Sequence, residues 1–432
     1  MKKVLIITYY WPPQGGSGVQ RWLKFVKYLR DFGVEPIVYT PSNPEMMAVD
    51  KELEKEIPSG VKVIKSSIVE PYSLYKLFTG KKEIKPGFIS QKSGESSRFK
   101  ESLSIFLRSN LFIPDPKMLW IGPSARFLKK YLRENPVDAI ISTGPPHSMH
   151  LIAKRVAGAL SVPWIADFRD PWTGMYNFKQ MKNTILTEKI HKRLERGVLR
   201  RADRVVVVTN GMREEMVSLG AKSVSVITNG YDESDFPSAG EVLDREFTIT
   251  YTGLFFRDRN PEALWRVLGQ MVSSDSDFAS ALKIRLAGNI DSSIIAEIGQ
   301  NGLSNNLEVK SYIPHNEAVA MQQSAQILLL SSGMEPESRS ILTGKFFEYL
   351  AARRPILAFG HSDSNIAEVL DETRSGKLFD YSEESSLADW LKDRFSDFKR
   401  GGVPQTGGEI SRFSRRSLTG DMVRIINEIT SK

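Results

Sequence analysis

Short runs of β-branched and apolar residues alternate along the chain with longer stretches whose apolar positions recur every three or four residues. The runs at 4–8, 35–39, 61–65, 139–142, 164–166, 204–209 and 223–228 predict strands, and 19–32 and 124–134 carry helical periodicity between them. Val205, Val206, Val207 and Val208 show no alternation, which predicts a strand covered on both faces. A second series of strands follows at 247–252, 283–287, 307–310, 326–330 and 355–358. This alternation predicts an α/β chain with parallel, doubly wound sheets. Residues 233–245, rich in Asp, Ser, Pro and Gly, read as a linker. The expected organisation is an α/β domain over 1–232, a second over 246–410 and a closing helical segment over 411–432. Residues 70–120 interrupt the pattern as a basic, aromatic insertion. Within it Phe99, Leu103, Phe106 and Asn110 recur at helical spacing over 97–111, beside Arg98, Lys100 and Arg108. That stripe is expected to pack on its domain, and its basic flanks also suit a membrane interface.

Composition narrows the picture. A chain of 432 residues exceeds one ordinary core. The absence of cysteine excludes disulfides, thiolate metal sites and cysteine nucleophiles, and fits a reducing compartment. The apolar start reads as a buried strand rather than a signal peptide, because Trp11, Pro12 and Pro13 follow with no small-residue cleavage site. No run approaches the roughly 18 apolar residues of a membrane span. A cytoplasmic location, peripheral at the inner face of the membrane, is expected. The net charge of +8 suits phosphate ligands or an anionic membrane surface. Nucleic acid is not an expected partner, since the basic residues are dispersed and no binding motif is present.

Candidate chemistry sits where strands hand over to helices, because ligands in such sheets bind beyond the carboxyl ends of strands. Thr343, Gly344 and Lys345 open a helix on which Glu348 lies one turn later. A helix start favours phosphate, Lys345 adds a full charge, and Glu348 is placed to accept hydrogen bonds from sugar hydroxyls. The same residues also make an ordinary i, i+3 surface pair. Gly15, Gly16 and Gly18 follow the first strand, without the spacing of a dinucleotide fingerprint and without a P-loop lysine. Gly253 ends the first strand of the second series, and Arg257 and Arg259 follow in a loop suited to a diphosphate. His147 and His150 follow a buried strand at Gly144-Pro145-Pro146, and Asp167, Arg169 and Asp170 follow the next. The two aspartates either serve a ligand or merely hold Arg169. Asp275 and Asp277 match a metal-binding D-x-D pattern but read as a solvated loop, and no metal is expected.

In order and spacing these motifs resemble a glycosyltransferase of GT-B architecture, most similar to the retaining family 4. The resemblance rests on the glycine loop 15–18, the run Val226-Ile227-Thr228-Asn229-Gly230-Tyr231-Asp232, the strand end Tyr251-Thr252-Gly253, and Lys345-Phe346-Phe347-Glu348-Tyr349-Leu350-Ala351 followed by Arg354-Pro355-Ile356. It implies two Rossmann-like domains facing a cleft, acceptor-side first and donor-side second, with the closing helix crossing back to the first domain. It also implies a nucleotide-diphosphate sugar as donor and a glycan or lipid-linked acceptor, as in cell-surface polysaccharide or glycoconjugate biosynthesis. By that resemblance Glu348 binds the donor ribose. Lys345 with Arg259 or Arg257 holds the diphosphate, and Gly16, beside Gly15, approaches donor or acceptor. His147 or His150 contacts the transferred sugar, and Asp170 faces the acceptor. The family commonly carries a further glutamate eight positions before Glu348, where this chain has Ser340, with Glu335 and Glu337 out of register. A catalytically silent scaffold and a non-hydrolysing sugar-nucleotide epimerase remain open as alternatives, and a nicotinamide-dependent oxidoreductase is disfavoured by the first βα turn.

Overall fold

The computed structural model describes residues 1–46, 49–70, 106, 109–175, 178, 181, 183–236, 242–311, 313–404 and 407–431. Most of the helix predicted over 97–111, and so its apolar stripe, lies outside them. The described chain divides into two compact units, Met1–Thr228 with Leu418–Lys432, and Asn229–Ser417.

The first unit is built on seven strands: β1 (Lys2–Ile7), β2 (Val34–Pro41), β3 (Lys62–Ser66), β4 (Ala139–Gly144), β5 (Trp164–Phe168), β6 (Arg204–Val207) and β7 (Val224–Val226). Their order is β3-β2-β1-β4-β5-β6-β7, and every pairing is parallel. Side chains alternate across a strand. Leu5 and Ile7 therefore enter one core with Ile140 and Val205, and Val4 and Ile6 enter another with Ile141 and Val206. The second core is closed by Leu418, Met422 and Ile426 of the Arg415–Thr430 helix. Lys2 fastens that helix to β1 by donating to Asn427 Oδ1 at 2.8 Å and Thr430 Oγ1 at 2.7 Å.

The second unit carries β8 (Phe247–Thr252), β9 (Leu282–Ala287), β10 (Leu307–Lys310), β11 (Ile327–Ser331), β12 (Ile356–Phe359) and β13 (Gly376–Phe379). They form a six-stranded parallel sheet in the order β10-β9-β8-β11-β12-β13. Ile327 and Leu329 face one core, and Leu328 and Leu330 the other. The two parallel, doubly wound sheets agree with the predicted fold class. β13 was absent from the sequence reading: it is a four-residue edge strand that begins with glycine and has little periodicity to read. Residues 231–236 are ordered within the second unit: Tyr231 bridges to Ser414, and Asp232 caps the turn Glu233–Asp235.

A buried ion pair joins four segments of the first unit. Asp167, at the end of β5, accepts from Arg21 Nη2 at 2.9 Å, Trp22 Nε1 at 2.8 Å and Thr143 Oγ1 at 2.8 Å. Arg21 also donates to the carbonyls of Thr228 at 2.8 Å and Ile227 at 2.9 Å. Asp167 thus holds Arg21 rather than Arg169, which the spacing alone could not distinguish. Burial raises its pKa, but the Arg21 charge and these hydrogen bonds outweigh that and leave it below the usual carboxylate value. Asp167→Asn should destabilise the protein by about 3–5 kcal/mol, because it strands a buried guanidinium. Urea unfolding at neutral pH checks this, and an unchanged midpoint would show that the pair is dispensable.

Candidate active site

In each sheet the strand order reverses once, between β1 and β4 and between β8 and β11. Loops leaving the carboxyl ends of those strands run to opposite faces and leave an opening at the edge. Both sets of candidate residues lie at such edges.

In the second unit, Gly253 follows β8 and Gly288 follows β9, and the two glycines are in backbone contact. A side chain on Gly288 would place its Cβ 2.2 Å from the Gly253 carbonyl oxygen, and Gly288 has φ +126. Thr252 N donates to Tyr349 Oη at 3.1 Å, tying this strand end to the Gly344–Ala351 helix. The half-buried Lys345 side chain then lies over the strand end. Its Nζ is 3.7 Å from the centre of the Tyr251 ring and 3.2 Å from the Cβ position of Gly253. Thr343 precedes the helix but makes no capping hydrogen bond through its side chain. A Cβ on Gly344 would meet nothing within 4 Å, so the helix start is open.

Arg259, in the turn Arg257–Arg259, is close enough to depress the pKa of Lys345. Its Nε is buried and has no hydrogen-bond partner among the described residues. Ser331 Oγ at the end of β11 donates to the Arg259 carbonyl, and Tyr381 Oη lies 2.9 Å from the same hydroxyl. Arg257 is exposed, and its charge acts on Asp291. Lys345 is pushed down to about 7, first by burial and then by Arg259, with Glu348 opposing. Gln322 sets the carboxylate of Glu348, donating through Nε2 to Glu348 Oε2 at 3.3 Å and to Thr252 Oγ1 at 3.0 Å. The structure thus brings together Gly253, Arg259, Lys345 and Glu348. Gln322 was missed because nothing in the pattern of a polar helix marks one glutamine. Ser340 ends the turn Pro336–Ser340.

In the first unit, Gly16 (φ 98) stands at the start of the Ser17–Leu29 helix, directly after Gly15. Arg169 links this loop to the histidine segment by donating to the carbonyls of Gly18, at 2.8 Å, and Pro145. His147 stacks on Trp172 with ring centres 4.6 Å apart, and Trp172 Nε1 donates to His191 Nδ1 at 3.0 Å. His150 is fully buried between Phe168, 4.3 Å away, and Ser142 Oγ, 2.8 Å from Nδ1. Burial holds both imidazoles neutral: His147 lies well below the usual value, and His150 falls to about 3. Asp170 is half-buried, and burial raises its pKa against the attraction of Arg169. Two supports were not predicted. Asp115 accepts from Ser148 N and Ser148 Oγ at 2.8 Å each, and Glu195 accepts from the Thr173 hydroxyl.

Asp275 caps the Ser276–Ala281 helix by accepting from Asp277 N at 2.9 Å and Phe278 N at 3.0 Å, as a local turn would. Among the described residues no cluster of three or more His, Asp or Glu is placed to hold a metal ion.

Residues 16–235, just over half the chain, match the model of Glycosyltransferase Family 4. The chain belongs to that family. The family match covers the first unit's candidates from Gly16 to Asp170, whereas Gly15 lies just before it and Gly253, Arg259, Lys345 and Glu348 fall beyond it. Solved structures resemble this glycosyltransferase over its length. Sucrose-phosphate synthase from Thermosynechococcus elongatus aligns with TM-score 0.60 at 13% identity, covering 100% of both chains. A TarM variant from S. aureus, solved with UDP, aligns at 0.58 and 12%, covering 99% of this chain and 100% of that one. UDP-GlcNAc 2-epimerase from Methanocaldococcus jannaschii aligns at 0.51 and 11%, covering 99% of each. These likenesses extend to the fold, the GT-B arrangement of two Rossmann-like sheets. No curated protein matches the chain.

The depressed pKa of Lys345 has a testable consequence. The unfolded lysine titrates near 10.5 and the folded one near 7, so the unfolded state binds more protons between these values. The penalty of the charged amine is complete below about pH 7 and fades as pH rises toward 10.5. Lys345→Met should therefore melt higher than the parent at pH 6, with the gain shrinking by pH 9. Thermal unfolding at both values decides it, and a variant less stable at pH 6 overturns the assignment.

Proposed function

We propose that the second unit binds the nucleotide diphosphate of a sugar donor and that the glycosyltransferase passes the sugar, with retention, to a glycan or lipid-linked acceptor. The observation that carries this reading is the pair Lys345 and Arg259 at an open helix start, each without a carboxylate in ion-pair contact among the described residues. Such a site is electrostatically incomplete until an anion arrives. Departure of the sugar leaves negative charge on the diphosphate. Lys345, Arg259 and the first-turn N–H groups would stabilise it in place, the role a divalent cation serves elsewhere. Glu348, oriented by Gln322, would take the ribose hydroxyls. Arg257, which is exposed, would play a lesser part than Arg259.

In the first unit, the neutral His147 and the half-buried Asp170 are the groups proposed to meet sugar and acceptor. His150, sealed between Phe168 and Ser142, supports that edge from beneath. Polysaccharide or glycoconjugate biosynthesis at the inner membrane face is part of the same proposal. No helix among the described residues is long and apolar enough to cross a membrane. The Ile185–Leu199 helix exposes Ile185 (75%) and Leu186 (68%) beside Lys189, Lys192 and Arg193, which supports a peripheral contact with anionic lipid.

UDP is the first probe, followed by nucleotide sugars ranked by the thermal stabilisation they give. Lys345→Ala and Glu348→Ala should each weaken binding of the best donor roughly 10- to 100-fold, the loss of one charge-assisted hydrogen bond. Calorimetric titration measures this, and parent-like affinity in both variants would sink the site assignment. Turnover should survive EDTA. Strict dependence on added divalent metal would reject the metal-free reading, and conversion of the donor into a second sugar nucleotide without acceptor would favour an epimerase.

A further inference from the structure

The opposite, amino-terminal edge of the first sheet holds a second concentration of positive charge. A cavity of about 380 Å³ opens beside the starts of β5 and β6, within the usual range of roughly 300–1,000 Å³ for ligand pockets. It is lined by Lys154, Arg200, Arg201 and Lys222, with the Ser161 residue at its wall. Among the described residues none of the four cations has a carboxylate in ion-pair contact; Lys154 is half-buried, and Arg200, Arg201 and Lys222 are exposed. The cavity's one carboxylate, Asp203, is engaged by the backbone, accepting from Trp164 N at 2.8 Å.

The cations are also steered toward one another. Lys154 lies in the Ser148–Leu160 helix and extends over Gly197 of the Ile185–Leu199 helix, with Nζ 2.5 Å from that glycine's Cβ position. Arg201 reaches back over Gly158, with Nη2 3.2 Å from its Cβ position. Burial and the Arg201 charge together lower the pKa of Lys154. A helix C-terminus attracts basic side chains, which accounts for Arg200 at the cap of the Ile185–Leu199 helix. It does not account for Lys154 in mid-helix, nor for Arg201 leaning toward another helix's glycine. Like charges held this close repel, and the single carboxylate of Asp203 offsets only part of the charge of the four cations around the cavity.

We propose that this pocket is an anion site separate from the donor edge, and that it takes a phosphate-bearing ligand. Arg201 supplies a planar fork for phosphate oxygens, and Lys154 and Lys222 supply point charges. The phosphate can belong to a soluble ester or to a lipid headgroup, and both present the same oxygens.

Inorganic pyrophosphate titrated into full-length Lys345→Ala protein tests the site with the donor edge weakened. One equivalent should bind, and the additional Arg201→Ala or Lys154→Ala change should weaken it at least tenfold. Binding that vanishes with Lys345→Ala alone, or that ignores Arg201 and Lys154, overturns the proposal. In phosphate-free, low-salt buffer, Arg201→Ala should melt no lower than the parent, since it relieves the crowding. A clear fall would mean the arginine serves packing instead and would also overturn it. Vesicles of phosphatidylglycerol and phosphatidylcholine distinguish the sources. Displacement of pyrophosphate by the anionic vesicles alone assigns the site to a headgroup, and pyrophosphate binding untouched by them assigns it to a soluble phosphate.

Discussion

Parallel pairing constrains everything else in this protein. Each parallel neighbour requires a crossover, so all strands of a sheet release their chains toward helices at one edge. Both sheets obey this without a single antiparallel pair among the named strands. Crossovers cover both faces, which is why consecutive residues such as Leu5 and Ile6 serve different cores. Where the strand order reverses, neighbouring loops part and the edge stays open. Gly16 and His147 come from the strands on either side of one reversal, β1 and β4. In the other sheet, Gly253 follows β8, and Lys345 follows β11 on the helix Gly344–Ala351.

Charge is treated differently in the scaffold and at the open strand edge of the second sheet. Arg21 and Asp167 are both almost fully buried, and each is surrounded by complementary partners. That pair locks β5 to the Ser17–Leu29 helix and to the end of the first unit. Lys345 and Arg259 are partly buried, and the charge of Arg259 acts against that of Lys345, a state that costs stability. The histidines take a third course. Neutralised by burial and stacked on Trp172 and Phe168, they present shape and hydrogen-bonding capacity rather than charge.

Strands inside the sheets were legible because burial on both faces demands unbroken apolar runs, as in Val205–Val208 of the sequence or the run through Ile327. The edge strand β13 has no such demand on it and left little signal. Local chemistry was legible where it is local. Asp275 caps the helix just after it, and Thr343-Gly344 opens the helix that carries Lys345 and Glu348.

By itself, then, the sequence determined two parallel α/β units, the strand ends that carry polar residues, and the identity of a helix that offers both a cation and a carboxylate. Those follow from periodicity and residue type, which are properties of neighbours along the chain. Tertiary structure alone decided which charges meet. It gave Asp167 to Arg21 instead of Arg169, favoured Arg259 over Arg257 as the neighbour of Lys345, and set Gln322 against Glu348. It also crossed Lys154 and Arg201 over each other's glycines. The reason is physical: an ionic or hydrogen-bonded contact is fixed by a few ångströms in space, and residues that meet at that range here stand up to 428 positions apart in the chain.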